Sequence, residues 1–269
     1  MKLILCLVAV FAVQYLGVAS NAKTVVKKLV SEEDVAVALA EYIASLSNDM
    51  REKASFSVVL SGGSLIYTMR KLCEPEYKTK IDWSKWIVFW VDERVVPLND
   101  SLSNYKLALD GFFSKVPIPQ SNIYPIKYMK SPAAVARDYE ARLKKLVAKK
   151  IIPLSDAGFP KFDLMLLGIG PDGHVASLFP NRQQRYEKKR WVTFITDSPK
   201  PPPERITFTF PVINSASNTA MVVTDAEEAD AVAAALGAVV VTPPLPCAEV
   251  KAEELTWFLD KEAASKLHS

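Results

Sequence analysis

A chain of 269 residues, 49% apolar and 23% charged, has ample material for a packed core and the size of one large α/β domain or two small ones. Its 33 basic and 30 acidic residues leave a formal net charge of +3, no electrostatic case for nucleic acid or an anionic membrane as the main partner. A small anionic ligand stays open, since a few local cations suffice for it.

The N-terminus differs in kind from the rest of the chain. Met1 and Lys2 precede LILCLVAVFAVQYLGVAS, an uncharged run ending in small residues, with Val18-Ala19-Ser20 or Ser20-Asn21-Ala22 as a cleavage site. Residues 1–22 therefore read as a signal-like hydrophobic leader, or an uncleaved anchor, and residues 23–269 as one folded domain. The leader implies the secretory route and the endoplasmic reticulum, with the cytosol or a plastid as alternatives. A transit peptide fits less well, because Lys2 is the only basic residue before Lys23. The sequon Asn99-Asp100-Ser101 matters only on the secretory route. Cys73 and Cys247, far apart, make neither a disulfide framework nor a zinc pair.

Ser31, followed by Glu32, Glu33 and Asp34, supplies a capping hydroxyl and a first turn of acids; Val35, Leu39, Tyr42, Ile43 and Leu46 then recur at helical spacing. Residues 56–60 are β-rich and run into Ser61-Gly62-Gly63-Ser64, with a helix expected over 65–72. WIVFWV, residues 86–91, is a strand buried on both faces, ending in Asp92-Glu93-Arg94. Ser131-Pro132 opens a helix toward Lys150, and residues 162–167 form another apolar strand. Residues 191–196, 206–210 and 219–224 are further strands, and 227–236 an alanine-rich helix. This alternation predicts an α/β fold, Rossmann-like, with a mostly parallel sheet flanked by helices in a single domain.

Polar clusters follow three of the strands, at the sheet edge where such folds bind ligands. Ser61, Gly62, Gly63 and Ser64 offer unhindered backbone N–H groups and two hydroxyls, a phosphate cradle or an ordinary strand–helix turn. No GK[ST] follows, which argues against a nucleoside triphosphate. Asp92-Glu93-Arg94 either grips an anion through Arg94 or closes the strand end as a local ion pair. Ser103-Asn104-Tyr105 is either a second wall or a helix cap. SPKPPPERIT, residues 198–207, is a stiff proline segment carrying Lys200 and Arg205. The basic run 182–190 reads as a solvated loop.

LLGIGPDGHVASLFP, residues 166–180, carries one of only two histidines. Gly168, Gly170 and Gly173 satisfy GxGxxG, with Asp197 about 24 residues on as a ribose-binding acid. Pro180, however, interrupts the helix that a dinucleotide fingerprint needs. The alternative is catalytic: His174, beside Asp172 and backbone donors, takes a proton from water. There is no GxSxG nucleophile motif, and two histidines without a cysteine cluster make a bound metal improbable.

LSGGS, VDERVVPLNDSLSNY, LLGIGPDGHVASLFP and PKPPPERITFTFPVIN together resemble the signature blocks of the 6-phosphogluconolactonases, in order, over about residues 24–260. The histidine is followed by VASLFP, unlike the run in the related glucosamine-6-phosphate deaminases. The resemblance implies cofactor-free hydrolysis of 6-phospho-D-glucono-1,5-lactone to 6-phosphogluconate in the oxidative pentose phosphate pathway, by a monomer. It makes His174 the general base, with Asp172 and Arg94 in the catalytic group. Ser61, Gly62, Gly63, Ser64, Arg94, Gly170, Lys200 and Arg205 surround the substrate, and no metal is implied. Leu65-Ile66 stands where the family often has Thr-Pro.

Overall fold

A computed structural model describes residues 23–267; the leader expectation for 1–22 falls outside the described residues. In chain order the elements are β1 (Lys23–Lys28), α1 (Glu32–Asp49), β2 (Phe56–Leu60), α2 (Ser64–Thr68), α3 (Pro75–Lys78), β3 (Trp86–Trp90), β4 (Asp92–Arg94) and α4 (Asn104–Gly111). They continue as α5 (Pro132–Ala148), β5 (Leu164–Leu167), β6 (Val192–Ile195), β7 (Arg205–Phe208), α6 (Phe210–Ile213), β8 (Asn218–Val223), α7 (Ala229–Ala235) and β9 (Glu254–Leu259). Ser31 caps α1 through Asp34 N, and Ser131 caps α5 through Ala134 N with Pro132 at its first position. The helix expected over 65–72 is split, α2 giving way to a 3₁₀ turn at Met69–Cys73.

Six strands form a wholly parallel sheet in the order β1-β9-β8-β5-β2-β3. Alternation sends each strand's side chains to both faces. On one face Val58, Leu60, Val88, Trp90, Leu164 and Leu166 pack with Val35, Leu39 and Ile43 of α1. On the other, Val59, Phe89, Met165 and Leu167 pack with Val135, Tyr139 and Leu143 of α5 and with Phe208. Burial on both faces explains why these strands are continuous apolar runs.

Two expectations are corrected. Asp92-Glu93-Arg94, expected as the polar cluster ending the strand over 86–91, forms a strand of its own, β4, and 192–195 and 205–208 join it in a separate antiparallel sheet, β4-β7-β6, rather than the parallel one. The reason is the connection: only a proline-rich link separates β6 from β7, with no helix to cross over, so the two pair antiparallel. The run 182–190 is likewise more than a solvated loop. Arg185 is 2% exposed; its Nε lies 3.0 Å from Glu249 Oε2 and its Nη2 donates to the Pro244 carbonyl. Among the described residues no helix is long and apolar enough to cross a membrane.

Candidate active site

The chain order reverses across the sheet between β2 and β5: β3 lies on one side of β2, and β5, β8 and β9 on the other. At such a switch point the loops leaving the two strands diverge and open a crevice. Ser61, Gly62, Gly63 and Ser64 leave β2 there, Gly168 and Ile169 leave β5, and Asp92 and Arg94 follow β3. With Asn104, His174, Ala176 and Arg205 they line a single cavity.

His174 is placed by backbone geometry. Gly170 N donates to the His174 carbonyl at 3.1 Å and Gly173 N to the Gly170 carbonyl at 2.8 Å, closing a tight loop. Gly173 has φ +77°, a left-handed conformation that disfavours other residues. A Cβ on Gly170 would fall 2.2 Å from His174 Cε1, so the ring needs glycine there. The imidazole lies 4.5 Å from the Phe179 ring, and its Nδ1 is 2.5 Å from Asp172 Oδ1. A carboxylate accepts, so Nδ1 carries the proton it donates; in the neutral ring this leaves the lone pair on Nε2. Burial raises the Asp172 pKa, but the hydrogen bond and charge of His174, with Lys200, hold it below the usual carboxylate range. Ala176 sits on the cavity wall at φ 53°, a strained value for a residue with a side chain. No helix follows Gly173; the segment closes on itself through Val175 and Leu178. The dinucleotide alternative thus lacks its helix, and its acid, Asp197, is paired with Arg182.

The other candidates are disposed unequally. Arg94 donates Nη1 to the Leu102 carbonyl at 2.8 Å rather than closing the strand end by pairing with Asp92 or Glu93. Glu93 is 1% exposed, and burial pushes its carboxyl up to about 7, backbone N–H donors offsetting only part of the effect. Arg205 is 3% exposed. Its Nε and Nη2 donate to the carbonyls of Pro202, Lys200 and Pro201, so most of its fork holds the proline segment rather than a ligand. Ser177 Oγ, 3.5 Å from Arg205 Nη1, donates to Asp92 at 2.7 Å. Lys200 is exposed and lies outside the cavity lining; its charge reaches Asp172. Asn104 lines the cavity and Ser103 caps α4, so that tripeptide is both wall and cap. Ala176 carries no signal that marks it in the sequence, and nothing there separates Asn104 from an ordinary helix-start residue. Among the described residues no group of three or more His, Cys, Asp or Glu could hold a metal ion.

A parallel α/β sheet with a carboxylate–histidine pair, an arginine and a glycine turn at its switch point defines an enzyme-like site of a size for a small molecule. Residues 30–257 match the model of the glucosamine-6-phosphate isomerases/6-phosphogluconolactonase family, and the chain belongs to that family. Within it the chain is similar to the 6-phosphogluconolactonases. It is 56% identical over 239 residues to "6-phosphogluconolactonase 3, chloroplastic" of Arabidopsis thaliana, covering 88% of this chain and 73% of that protein. "Probable 6-phosphogluconolactonase 4" of the same plant is 53% identical over 254 residues, covering 91% and 96%. The crystal structure of 6-phosphogluconolactonase from Thermotoga maritima superimposes with a TM-score of 0.74 at 29% identity, covering 89% of this chain and all of that one.

Proposed function

We propose that the chain is a 6-phosphogluconolactonase that hydrolyses 6-phospho-D-glucono-1,5-lactone with His174 as general base. The observation that carries the reading is His174, on the wall of a cavity shared with Arg94 and the 61–64 turn, held at 2.5 Å by Asp172 behind it. High identity to relatives named as lactonases supports the substrate class.

Asp172 keeps the proton on Nδ1, so Nε2 withdraws a proton from water as its oxygen bonds to the lactone carbonyl carbon. Negative charge moves to the carbonyl oxygen, where Arg94 and the backbone N–H groups of the turn stabilise it more than they do the neutral lactone. The intermediate collapses, the bond from C1 to the ring oxygen breaks, and the imidazolium returns the proton to that oxygen. Ser61, Gly62, Gly63, Ser64, Gly170, Lys200 and Arg205 complete the surroundings; Lys200 acts from the rim and Arg205 by fixing the proline segment. No cofactor enters these steps, and the product belongs to the oxidative pentose phosphate pathway. For the compartment, the plastid alternative draws support from relatives named chloroplastic, whereas those relatives lend none to a secretory route.

The test is hydrolysis of freshly generated lactone by the full chain, coupled to 6-phosphogluconate dehydrogenase and corrected for spontaneous opening. Turnover well above background is expected, without ammonia release from glucosamine 6-phosphate. Ammonia release without lactone turnover would contradict the reading.

A further inference from the structure

Strand alternation in β4 turns Asp92 and Arg94 toward the cavity and Glu93 away from it. Glu93 Oε1 accepts Arg94 N and Asn104 N, both at 2.7 Å; Oε2 accepts Tyr105 N at 2.8 Å and Ser103 Oγ at 3.2 Å. This carboxyl clamps the start of α4 to the strand and fixes the backbone of Asn104. The Asn104 side chain is fixed as well. Its Nδ2 donates to the Asp92 carbonyl at 3.1 Å. A carbonyl can only accept, so the amide cannot be turned the other way, and Oδ1 packs against Gly62 within the cavity wall. A Cβ on Gly62 would fall 2.0 Å from that oxygen. Asn104 is 1% exposed, and Oδ1 has no hydrogen-bond partner among the described residues. Ser61 Oγ and Arg94 Nε, buried atoms of residues that line the same cavity, also lack a partner among the described residues.

We propose that Asn104 is a specificity-determining residue whose Oδ1 accepts a hydrogen bond from a ring hydroxyl of the sugar-acid lactone. The assignment rests on the lactonase reading and adds to it which chemical group this wall recognises. An amide oxygen is acceptor only. A phosphate dianion and a lactone carbonyl are acceptors only as well, so neither can satisfy it, and both would be repelled. The substrate's donors are its hydroxyls on C2, C3 and C4. Ser61 Oγ can donate or accept and Arg94 Nε can only donate, so the same wall also offers donors to an acceptor atom of the substrate beside that hydroxyl. A buried group left unpaired by an analogue lacking its partner is the strongest source of discrimination among similar substrates.

The test compares kcat/KM of the full chain, as wild type and as Asn104→Ala, on the lactone and on its 2-, 3- and 4-deoxy counterparts. Wild type should lose roughly 10–100-fold on one of the three, the range expected for one unpaired buried acceptor. Asn104→Ala should fall by a similar factor on the parent lactone and no longer discriminate against that analogue, its other two ratios unchanged. Asn104→Ser repeats the test should the alanine variant unfold. Wild-type ratios near one for all three analogues would overturn the assignment, as would an Asn104 variant that keeps the wild-type ratios. Failure of wild type to hydrolyse the parent lactone would remove the lactonase reading itself, and this assignment with it.

Discussion

At the scale of single residues, two glycines of one motif have opposite tasks. A Cβ on Gly170 would fall within 2.3 Å of both Cε1 and Nδ1 of His174, whereas Gly168 has open space where a Cβ would stand. Gly170→Ala should displace the imidazole from Asp172 and lower kcat by more than about tenfold, since misplacement of a reacting group by a fraction of an ångström is costly. Gly168→Ala should change stability by under about 1 kcal/mol in urea unfolding. Equal effects of the two substitutions on kcat would contradict this division. The motif's glycines are legible in the sequence, but their separate roles are not, because each depends on which side chain folds back over it.

Glu93 carries a pH signature. Its carboxyl titrates near 7 in the folded chain against an ordinary value of 4.5, so the native state holds this proton more tightly than the unfolded state. The stability it contributes is complete below about pH 4.5 and is lost as the pH rises through about 7, by at most roughly 3 kcal/mol. Urea unfolding at pH 5 and pH 8 should show wild type losing stability relative to Glu93→Gln across that window. A parallel response of the two would contradict the burial of an ionisable group.

At the scale of elements, β2 and β5 are tied at their beginnings by a buried carboxylate. Asp163 accepts Ser57 N at 2.8 Å and Ser57 Oγ at 2.7 Å, and its other oxygen lies 2.6 Å from Lys53 Nζ. Asp163→Ala leaves buried donors unpaired and should cost about 2–4 kcal/mol in urea unfolding while sparing the cavity at the far ends of the strands. A cost under about 1 kcal/mol would mean the tie is incidental. Most elements are readable in advance: β2, β3 and β5 from apolar runs, α1 and α5 from their serine caps. What escapes is β4. Its residues, Asp92, Glu93 and Arg94, have the composition of a loop, and they form a strand only because β7 lies antiparallel beside them. That pairing joins residues more than 110 positions apart, which no local pattern encodes. β1, with its Lys and Thr residues at a sheet edge, hides for the opposite reason, since an edge strand need not be apolar.

At the scale of the whole molecule, the fold explains why three polar clusters separated in sequence meet. Parallel strands put their C-terminal ends on one edge, and the reversal between β2 and β5 opens the crevice there. The clusters and their meeting place are legible from the alternation of strands and turns. How the cations are used is not: Arg205 lines the cavity but spends most of its fork on the carbonyls of Lys200, Pro201 and Pro202, and Lys200 stays outside the lining, outcomes of the path of the 198–204 segment rather than of its composition. Whether this edge presents a base to a lactone is decided by steady-state hydrolysis with His174→Ala in the full chain. The folded variant should lose about 10²–10⁴-fold in kcat, toward the uncatalysed rate, as removal of one positioned base requires. A folded variant with nearly undiminished kcat would contradict that role.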